Sequence, residues 1–238
     1  MRRVRLLVSV TNGHEGAEAI AGGADIIDAK DPSKGALGAV GPDAWAEIRR
    51  ACPKETPTSV ALGDLGGHPP IVPLMGAGVE PPTYIKVGLA GIPGPSLALS
   101  ALRAFVAGGS EPSAGLIVSA YADHDRANSP PPETLPELAL TVGASGCLLD
   151  TYLKDGSCLL DWIDAAHLRC FVNDCRSRDL LCALAGSLKA DHLPQVAALA
   201  PDFIGVRGAA CNGDRVGGRV TRARVSALAA ALNSAHAA

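Results

Sequence analysis

Residues 24–30 read ADIIDAK, a short apolar run that ends in a lysine. The run has the length of a buried β-strand and lies between two helix-like patterns at 14–21 and 42–50. Other strand-sized runs lie at 4–10, 58–62, 83–88, 116–121, 147–150, 181–185 and 203–206, and other helix-like patterns at 95–107, 134–142, 160–169, 191–199 and 221–232. Continuous apolar strands that alternate with helices are typical of a parallel sheet covered on both faces.

Eight such strands in 238 residues predict an α/β fold, namely an eight-stranded parallel (β/α)8 TIM barrel that spans residues 1–238 as a single domain. The alternative is an open doubly wound sheet. Such a sheet usually carries a G-x-G-x-x-G turn after its first strand, and residues 10–14, VTNGH, lack that pattern. Residues 123–133, which follow the fifth strand, are interpreted as a long loop on the C-terminal face of the barrel.

Composition excludes several functions. The net charge of −3 gives no electrostatic basis for binding nucleic acid or an anionic membrane surface. No run approaches the roughly 18 apolar residues of a membrane span, so we expect a cytoplasmic protein. The seven cysteines form no CxxC pair and the six histidines show no ligand spacing. We therefore expect neither a metal nor a cofactor, and as partners only small-molecule substrates and further copies of the chain in a homo-oligomer.

Two lysines occupy positions that lysine rarely takes. Lys30 ends the run at 24–30, and Lys86 lies inside the run YIKVGL at 84–89. An ammonium group in a strand is costly to bury unless it is paired or loses its proton. A lysine whose pKa is lowered becomes a nucleophile. The pair therefore indicates carbonyl chemistry through a Schiff base.

The predicted barrel brings these lysines together with carboxylates, because its active site lies at the C-terminal ends of the strands. Asp28 shares a face of its strand with Lys30, and Asp150 ends the sixth strand four residues before Lys154. Neighbouring ammonium groups lower the pKa of at least one lysine, while the carboxylates orient the amines or shuttle protons. The simpler interpretations are that Lys30 extends to solvent and that Asp150 and Lys154 form a surface ion pair.

Small residues follow the last two strands. Gly186 and Ser187 come after the seventh strand, and Arg207 and Gly208 after the eighth. They could be ordinary turn residues, but backbone N–H groups at this position commonly bind phosphate, and Arg207 could add a bidentate contact. A phosphate site beside a Schiff-base lysine predicts an aldolase-like lyase acting on small phosphorylated aldehydes or ketones.

Specific motifs extend this prediction. The stretches DAKDP at 28–32, GALG at 35–38, YIKVGL at 84–89, LDT at 149–151, KDG at 154–156 and GVRGA at 205–209 resemble the (5-formylfuran-3-yl)methyl phosphate synthase family, in order and over nearly the whole chain. The resemblance implies an α/β barrel that acts in methanofuran biosynthesis. It also implies the condensation of two glyceraldehyde 3-phosphate molecules into a furan aldehyde phosphate, with loss of phosphate and water.

The resemblance also implies roles for individual residues. Lys30 matches the lysine that forms the Schiff base, Lys86 the proton acceptor, and Asp150 with Lys154 the supporting pair. Asp31 stands where many archaeal members carry Asn, which adds a carboxylate beside the nucleophile. Two alternatives share many of these features: another Schiff-base aldolase acting on a sugar phosphate, and a non-catalytic phosphosugar-binding barrel.

Overall fold

The computed structural model describes residues 3–67, 78–109 and 113–237. Eight parallel strands pair in sequence order, and the eighth pairs with the first to close a barrel. The strands are β1 (Arg5–Val10), β2 (Ile26–Ala29), β3 (Thr58–Asp64), β4 (Tyr84–Gly88), β5 (Gly115–Tyr121), β6 (Gly146–Asp150), β7 (Leu181–Leu184) and β8 (Phe203–Val206). The predicted α/β class and (β/α)8 barrel are confirmed.

Helices cover the outside of the barrel. They are α1 (Gly13–Ala21), α2 (Pro42–Ala51), α3 (Pro95–Ala107), α4 (His124–Ala127), α5 (Leu135–Thr141), α6 (Leu159–Trp162), α7 (Ala165–Ser177), α8 (Leu193–Ala197) and α9 (Arg222–Ala237). Pro42 and Pro95 are the first residues of their helices, where the missing N–H has no partner to lose. No helix in the described ranges has the length and apolar composition needed to cross a membrane.

The predicted helix at 160–169 is wrong, because two helices occupy this region. Helix α6 ends at Trp162, and Ile163 adopts an extended conformation. Asp164 then begins α7 by accepting a hydrogen bond from the His167 amide, and this helix continues to Ser177. Aspartate is a favoured N-cap residue, so Asp164 was a sequence signal for the second start.

The loops on the C-terminal face contain more structure than predicted. Residues 123–133, interpreted as a loop, contain helix α4 and the start of a 3-10 turn at Pro132–Thr134. After β8, strands β9 (Cys211–Asn212) and β10 (Arg219–Val220) form a small antiparallel hairpin that the sequence analysis did not predict. This hairpin carries residues 213–218 to the mouth of the barrel.

The barrel interior is only partly filled. Larger side chains such as Leu7, Ile26 and Ile117 line the interior, and so do Leu181 and Phe203. Strands β7 and β8 and the residue after β7 also contribute the small residues Ala183, Gly205 and Ala185. The inward-facing residues of such barrels normally pack in complete layers. Here the small residues leave a cavity of about 290 Å³ that opens toward the loops after the strands.

Gly88 makes room for a buried contact across the top of β4. The Tyr121 hydroxyl donates a hydrogen bond of 2.5 Å to Asp64 Oδ1, which joins β5 to the end of β3. A Cβ atom on Gly88 would lie 2.0 Å from Asp64 Oδ1 and 2.6 Å from the Tyr121 hydroxyl oxygen. A side chain at position 88 would therefore separate these two groups.

We expect Gly88→Ala to lower the free energy of unfolding by about 1–3 kcal/mol, because the added methyl group overpacks this contact. The control is Gly41→Ala, since a Cβ there meets no atom within 4 Å and the backbone φ is −73°. Urea denaturation of both variants measures the difference. Equal stabilities would contradict the assigned role of Gly88.

Candidate active site

One cavity contains the whole predicted site. Its lining includes every residue that the sequence analysis selected, namely Asp28, Lys30, Lys86, Asp150, Lys154, Gly186, Ser187, Arg207 and Gly208. The strand ends bring these residues together from positions up to 180 apart in the chain (208 − 28). The site therefore lies at the C-terminal ends of the strands, where the barrel fold places active sites.

Lys86 is held by a buried carboxylate. Its Nζ lies 2.6 Å from Asp28 Oδ1, and both side chains are almost fully buried. The hydroxyls of Ser9 and Ser59 donate to Asp28 at 2.8 and 2.7 Å. Burial alone would raise the pKa of Asp28, but the charges of Lys86 and Lys30 outweigh it and lower that pKa. Asp28 therefore stays ionised and fixes the Lys86 amine.

Lys154 forms a second pair at the opposite side of the cavity. Its ammonium donates to Asp150 Oδ1 at 2.7 Å and to Thr151 Oγ1 at 2.9 Å. Only 3% of the Asp150 side chain and 14% of the Lys154 side chain are exposed, which argues against an ordinary surface pair. Burial opposes ionisation of Asp150, but Lys154 and Lys30 lower its pKa to about 2.

Lys30 lacks such a partner. It is 7% exposed, and no hydrogen bond or ion pair joins its amine to any described residue. Burial lowers the pKa of Lys30 to about 8, with Lys86 and Lys154 adding to the effect and Asp150 and Asp28 opposing it. At pH 7 about one such amine in ten is neutral, against roughly one in three thousand at the ordinary pKa of lysine. Of the three lysines, Lys30 is thus the one whose amine has no partner among the described residues.

The carboxylate of Asp31, which departs from the archaeal pattern, forms its contacts with Ser33 and Lys34. Its Oδ1 accepts hydrogen bonds from the amide and hydroxyl of Ser33, so that Asp31 caps the 3-10 turn Pro32–Lys34. Its Oδ2 lies 3.2 Å from Lys34 Nζ. Partial burial opposes ionisation, but these hydrogen bonds lower the pKa of Asp31. The extra carboxylate thus organises the loop after Lys30.

Four residues with small side chains, Gly186, Ser187, Gly208 and Ala209, line the cavity beside the last two strands. Gly186 and Ser187 have φ values of +111° and +51°, which turn the chain sharply after β7. Among the described residues, no acceptor pairs with the amides of Gly186, Ser187, Gly208 or Ala209. Unpaired N–H groups at this position are suited to bind an anion. We call these four residues the amide cradle.

The Arg207 guanidinium forms a buried ion pair with Glu15. Its Nη1 donates to Glu15 Oε2 at 2.9 Å and to the Ser9 carbonyl, its Nη2 to Glu15 Oε1, and its Nε to the Arg215 carbonyl. These bonds use four of the five N–H groups of a guanidinium. A bidentate phosphate contact, as the sequence analysis expected, would require Arg207 to release Glu15, which is itself buried.

Sequence reasoning missed the residues that support the site. Ser9 and Ser59 fix Asp28, and their only signal was a hydroxyl inside an otherwise apolar run. Arg215, which also lines the cavity, lies in the unpredicted hairpin and had no signal of its own. Within the described parts of the chain, no three His, Cys, Asp or Glu side chains are placed to hold a metal ion.

The fold and site define a (β/α)8 barrel whose cavity carries several lysines at the C-terminal ends of its strands. The model of the 4-HFC-P synthase family matches residues 6–229, and the chain belongs to that family. The (5-formylfuran-3-yl)methyl phosphate synthases of Methanothermobacter thermautotrophicus and Methanocaldococcus jannaschii are each 40% identical to it. The alignments cover 96% and 94% of this chain and 99% and 97% of those relatives.

Solved structures support the fold independently. The 3-hexulose-6-phosphate synthase of Salmonella typhimurium superposes with a TM-score of 0.66 at 16% identity, covering 98% of this chain and all of that one. The thiamine phosphate pyrophosphorylase of Pyrococcus furiosus gives 0.63, also at 16% identity, with 98% of each chain covered. At this level of identity the similarity concerns the barrel alone.

We expect Lys30→Met to raise the free energy of unfolding by about 1–3 kcal/mol at pH 7, because it removes a buried charge that has no partner. The pKa of Lys30 is lower in the folded protein than in the unfolded chain, so the unfolded chain binds more protons between about pH 8 and 10.5. The wild type should therefore regain stability relative to the variant across that range.

Urea denaturation of both proteins at pH 7 and pH 10 measures this difference, and groups common to both proteins cancel in the comparison. An advantage of Lys30→Met that is the same at both pH values would mean that the charge of Lys30 is not the cause.

Proposed function

We propose that the protein condenses two molecules of glyceraldehyde 3-phosphate into (5-formylfuran-3-yl)methyl phosphate through a Schiff base on Lys30, for the synthesis of a methanofuran-type carrier. The observation that carries the proposal is a buried, unpaired Lys30 whose two lysine neighbours each have a carboxylate partner. Family membership supports the product, since the relatives named above are synthases of this compound.

The charge of the cavity favours a phosphorylated substrate. Six cationic side chains line it, Lys30, Lys86, Lys154, Lys189, Arg207 and Arg215, against the two carboxylates Asp28 and Asp150. Glu15 neutralises Arg207 from outside the lining, and the excess remains positive. The amide cradle adds donors without adding charge. An anionic molecule with a carbonyl group suits this cavity, because the cationic side chains and the amide cradle can bind the anion while Lys30 reacts with the carbonyl group.

In the first step, the neutral Lys30 amine attacks the carbonyl carbon of one triose phosphate, and water leaves to form the iminium. The positive nitrogen acidifies the neighbouring C–H bond. Lys86, neutral after its ammonium has given a proton to the departing water, takes that proton and leaves an enamine. Asp28 lies 2.6 Å from Lys86 Nζ and stabilises the ammonium that this transfer creates.

In the second step, the enamine carbon attacks the aldehyde of the second triose phosphate, and the new alkoxide takes a proton from the Lys154 ammonium. Asp150 holds Lys154 for this transfer, and a proton from solvent restores the Lys154 ammonium afterwards. Ring closure and elimination complete the furan. The balance is 2 C3H7O6P → C6H7O6P + H3PO4 + 2 H2O, so no oxidant or reductant is required.

We expect borohydride to trap the bound substrate on Lys30. Incubation with glyceraldehyde 3-phosphate and sodium borohydride should reduce the iminium to a secondary amine, and peptide mass mapping should locate it at Lys30. Without borohydride, an ultraviolet absorption from the conjugated furan aldehyde should develop. Lys30→Met should give neither signal.

Each outcome has a distinct meaning. An adduct on Lys86 or Lys154 would move the nucleophile and leave the reaction class intact. An adduct on Lys30 with a product other than the furan would indicate a different Schiff-base aldolase. No adduct and no product would favour a phosphosugar-binding barrel.

Lys86→Arg should abolish turnover, lowering kcat by about 10³-fold or more, while the protein remains folded. Arginine keeps the charge that faces Asp28 but cannot lose its proton, so it cannot accept one from the substrate. Exchange of the substrate's C–H hydrogen with deuterated water, followed by NMR, measures this step directly. Continued exchange in the variant would show that Lys86 only supplies charge.

A further inference from the structure

The hairpin after β8 places a second arginine over the cavity. Residues 213–218 connect β9 to β10, and Asp214 stabilises their turn by accepting hydrogen bonds from the amides of Val216 and Gly217. Arg215 leaves this turn toward the barrel and lines the cavity, half-buried. The turn therefore holds a guanidinium at the mouth of the site.

Arg215 differs from Arg207 in its partners. Arg207 forms a buried ion pair with Glu15, whereas no carboxylate of the described residues lies within ion-pair distance of Arg215. Among the described residues, the Arg215 guanidinium donates only to the carbonyl oxygens of Pro32 and Gly35, at 3.3 and 3.4 Å. Two of its five N–H groups are thus used in long bonds to neutral acceptors, and three remain for a ligand (5 − 2 = 3).

The position of Arg215 connects two parts of the site. Its Cβ lies 3.6 Å from the place where Gly208, a member of the amide cradle, would carry a side chain. Its guanidinium contacts the loop that begins immediately after Lys30. Burial lowers the pKa of Arg215, and the negative charge of Asp150 opposes this shift. Arg215 therefore spans the distance from the cradle to the nucleophile.

We propose that Arg215 is the cation that binds the substrate phosphate, together with the amide cradle, and that Arg207 is a structural residue that supports the hairpin. The identity of the substrate as a triose phosphate rests on the proposed function above. Binding of a phosphate monoester follows from the geometry alone. A planar guanidinium with free N–H groups forms bidentate bonds to phosphate, and a half-buried position strengthens them.

Arg215 also explains selection for phosphorylated substrates. A substrate that lacks phosphate would leave the guanidinium and the cradle amides without an acceptor, while its carbonyl could still reach Lys30. Arg215 is thus a specificity-determining residue, and its removal should weaken the preference for phosphate more than the chemistry at Lys30.

The test uses glycerol 3-phosphate, which has the phosphate but no carbonyl and so cannot form a Schiff base. We expect Arg215→Gln to weaken its binding, measured by isothermal titration calorimetry, by about 30- to 100-fold, and Arg215→Lys by a smaller factor. The matched control is Arg219→Gln, because Arg219 belongs to the same hairpin, is exposed and does not line the cavity. The control should change the binding less than about threefold.

A second measurement compares borohydride trapping by dihydroxyacetone phosphate and by dihydroxyacetone. Arg215→Gln should raise the half-saturating concentration of the first by a similar factor and leave that of the second unchanged. Thermal unfolding of each variant verifies that the hairpin and barrel stay folded.

Unchanged binding of glycerol 3-phosphate in Arg215→Gln would overturn the proposal, as would an equal loss in Arg219→Gln. The outcome is independent of the furan reaction. If the wild type makes no furan but binds glycerol 3-phosphate through Arg215, the proposed function fails and this assignment stands. If furan forms and Arg215→Gln binds glycerol 3-phosphate normally, the proposed function stands and this assignment fails.

Discussion

The site depends on how buried charge is divided inside the barrel. Three of the lysines that line the cavity, Lys30, Lys86 and Lys154, share it with two carboxylates, and an unpaired ionised group there would cost several kcal/mol. Asp28 takes Lys86 and Asp150 takes Lys154, each at hydrogen-bond distance. Lys30 has no such partner among the described residues, and burial lowers the pKa of its amine. The two ion pairs thus do more than stabilise their own members, because they leave the third amine unpaired, as the proposed Schiff-base step requires.

Much of this arrangement could be predicted from the sequence. Apolar runs of strand length, repeated eight times, specify the barrel because each run needs a parallel neighbour and a covering helix. The barrel in turn places strand ends together, so the positions of Lys30, Lys86 and Asp150 at or near strand ends were enough to select them. Features that follow from strand period and barrel topology are therefore predictable.

The remaining features depend on contacts between distant parts of the chain. Arg207 was expected to face a phosphate, but Glu15, 192 residues away, binds it. No local pattern indicates that pairing. Arg215 was missed because its place at the cavity depends on a hairpin of two-residue strands, which is too short to produce a periodic signal. The helix predicted at 160–169 was wrong because Asp164 begins a second helix there, which apolar spacing alone does not indicate.

The ion pair between Arg207 and Glu15 has a consequence for the order in which the site is assembled. Glu15 also accepts a hydrogen bond from the Val220 amide, 205 residues along the chain. During synthesis, Glu15 can accept the local hydrogen bonds from Thr11, but its partners Arg207 and Val220 are made 192 and 205 residues later. Contacts of such long sequence separation form late, because closing the loop between them is entropically unfavourable. The lysines can therefore gather in a nascent barrel that is still open between β1 and β8, and the part of the proposed phosphate site that follows β8 is added last.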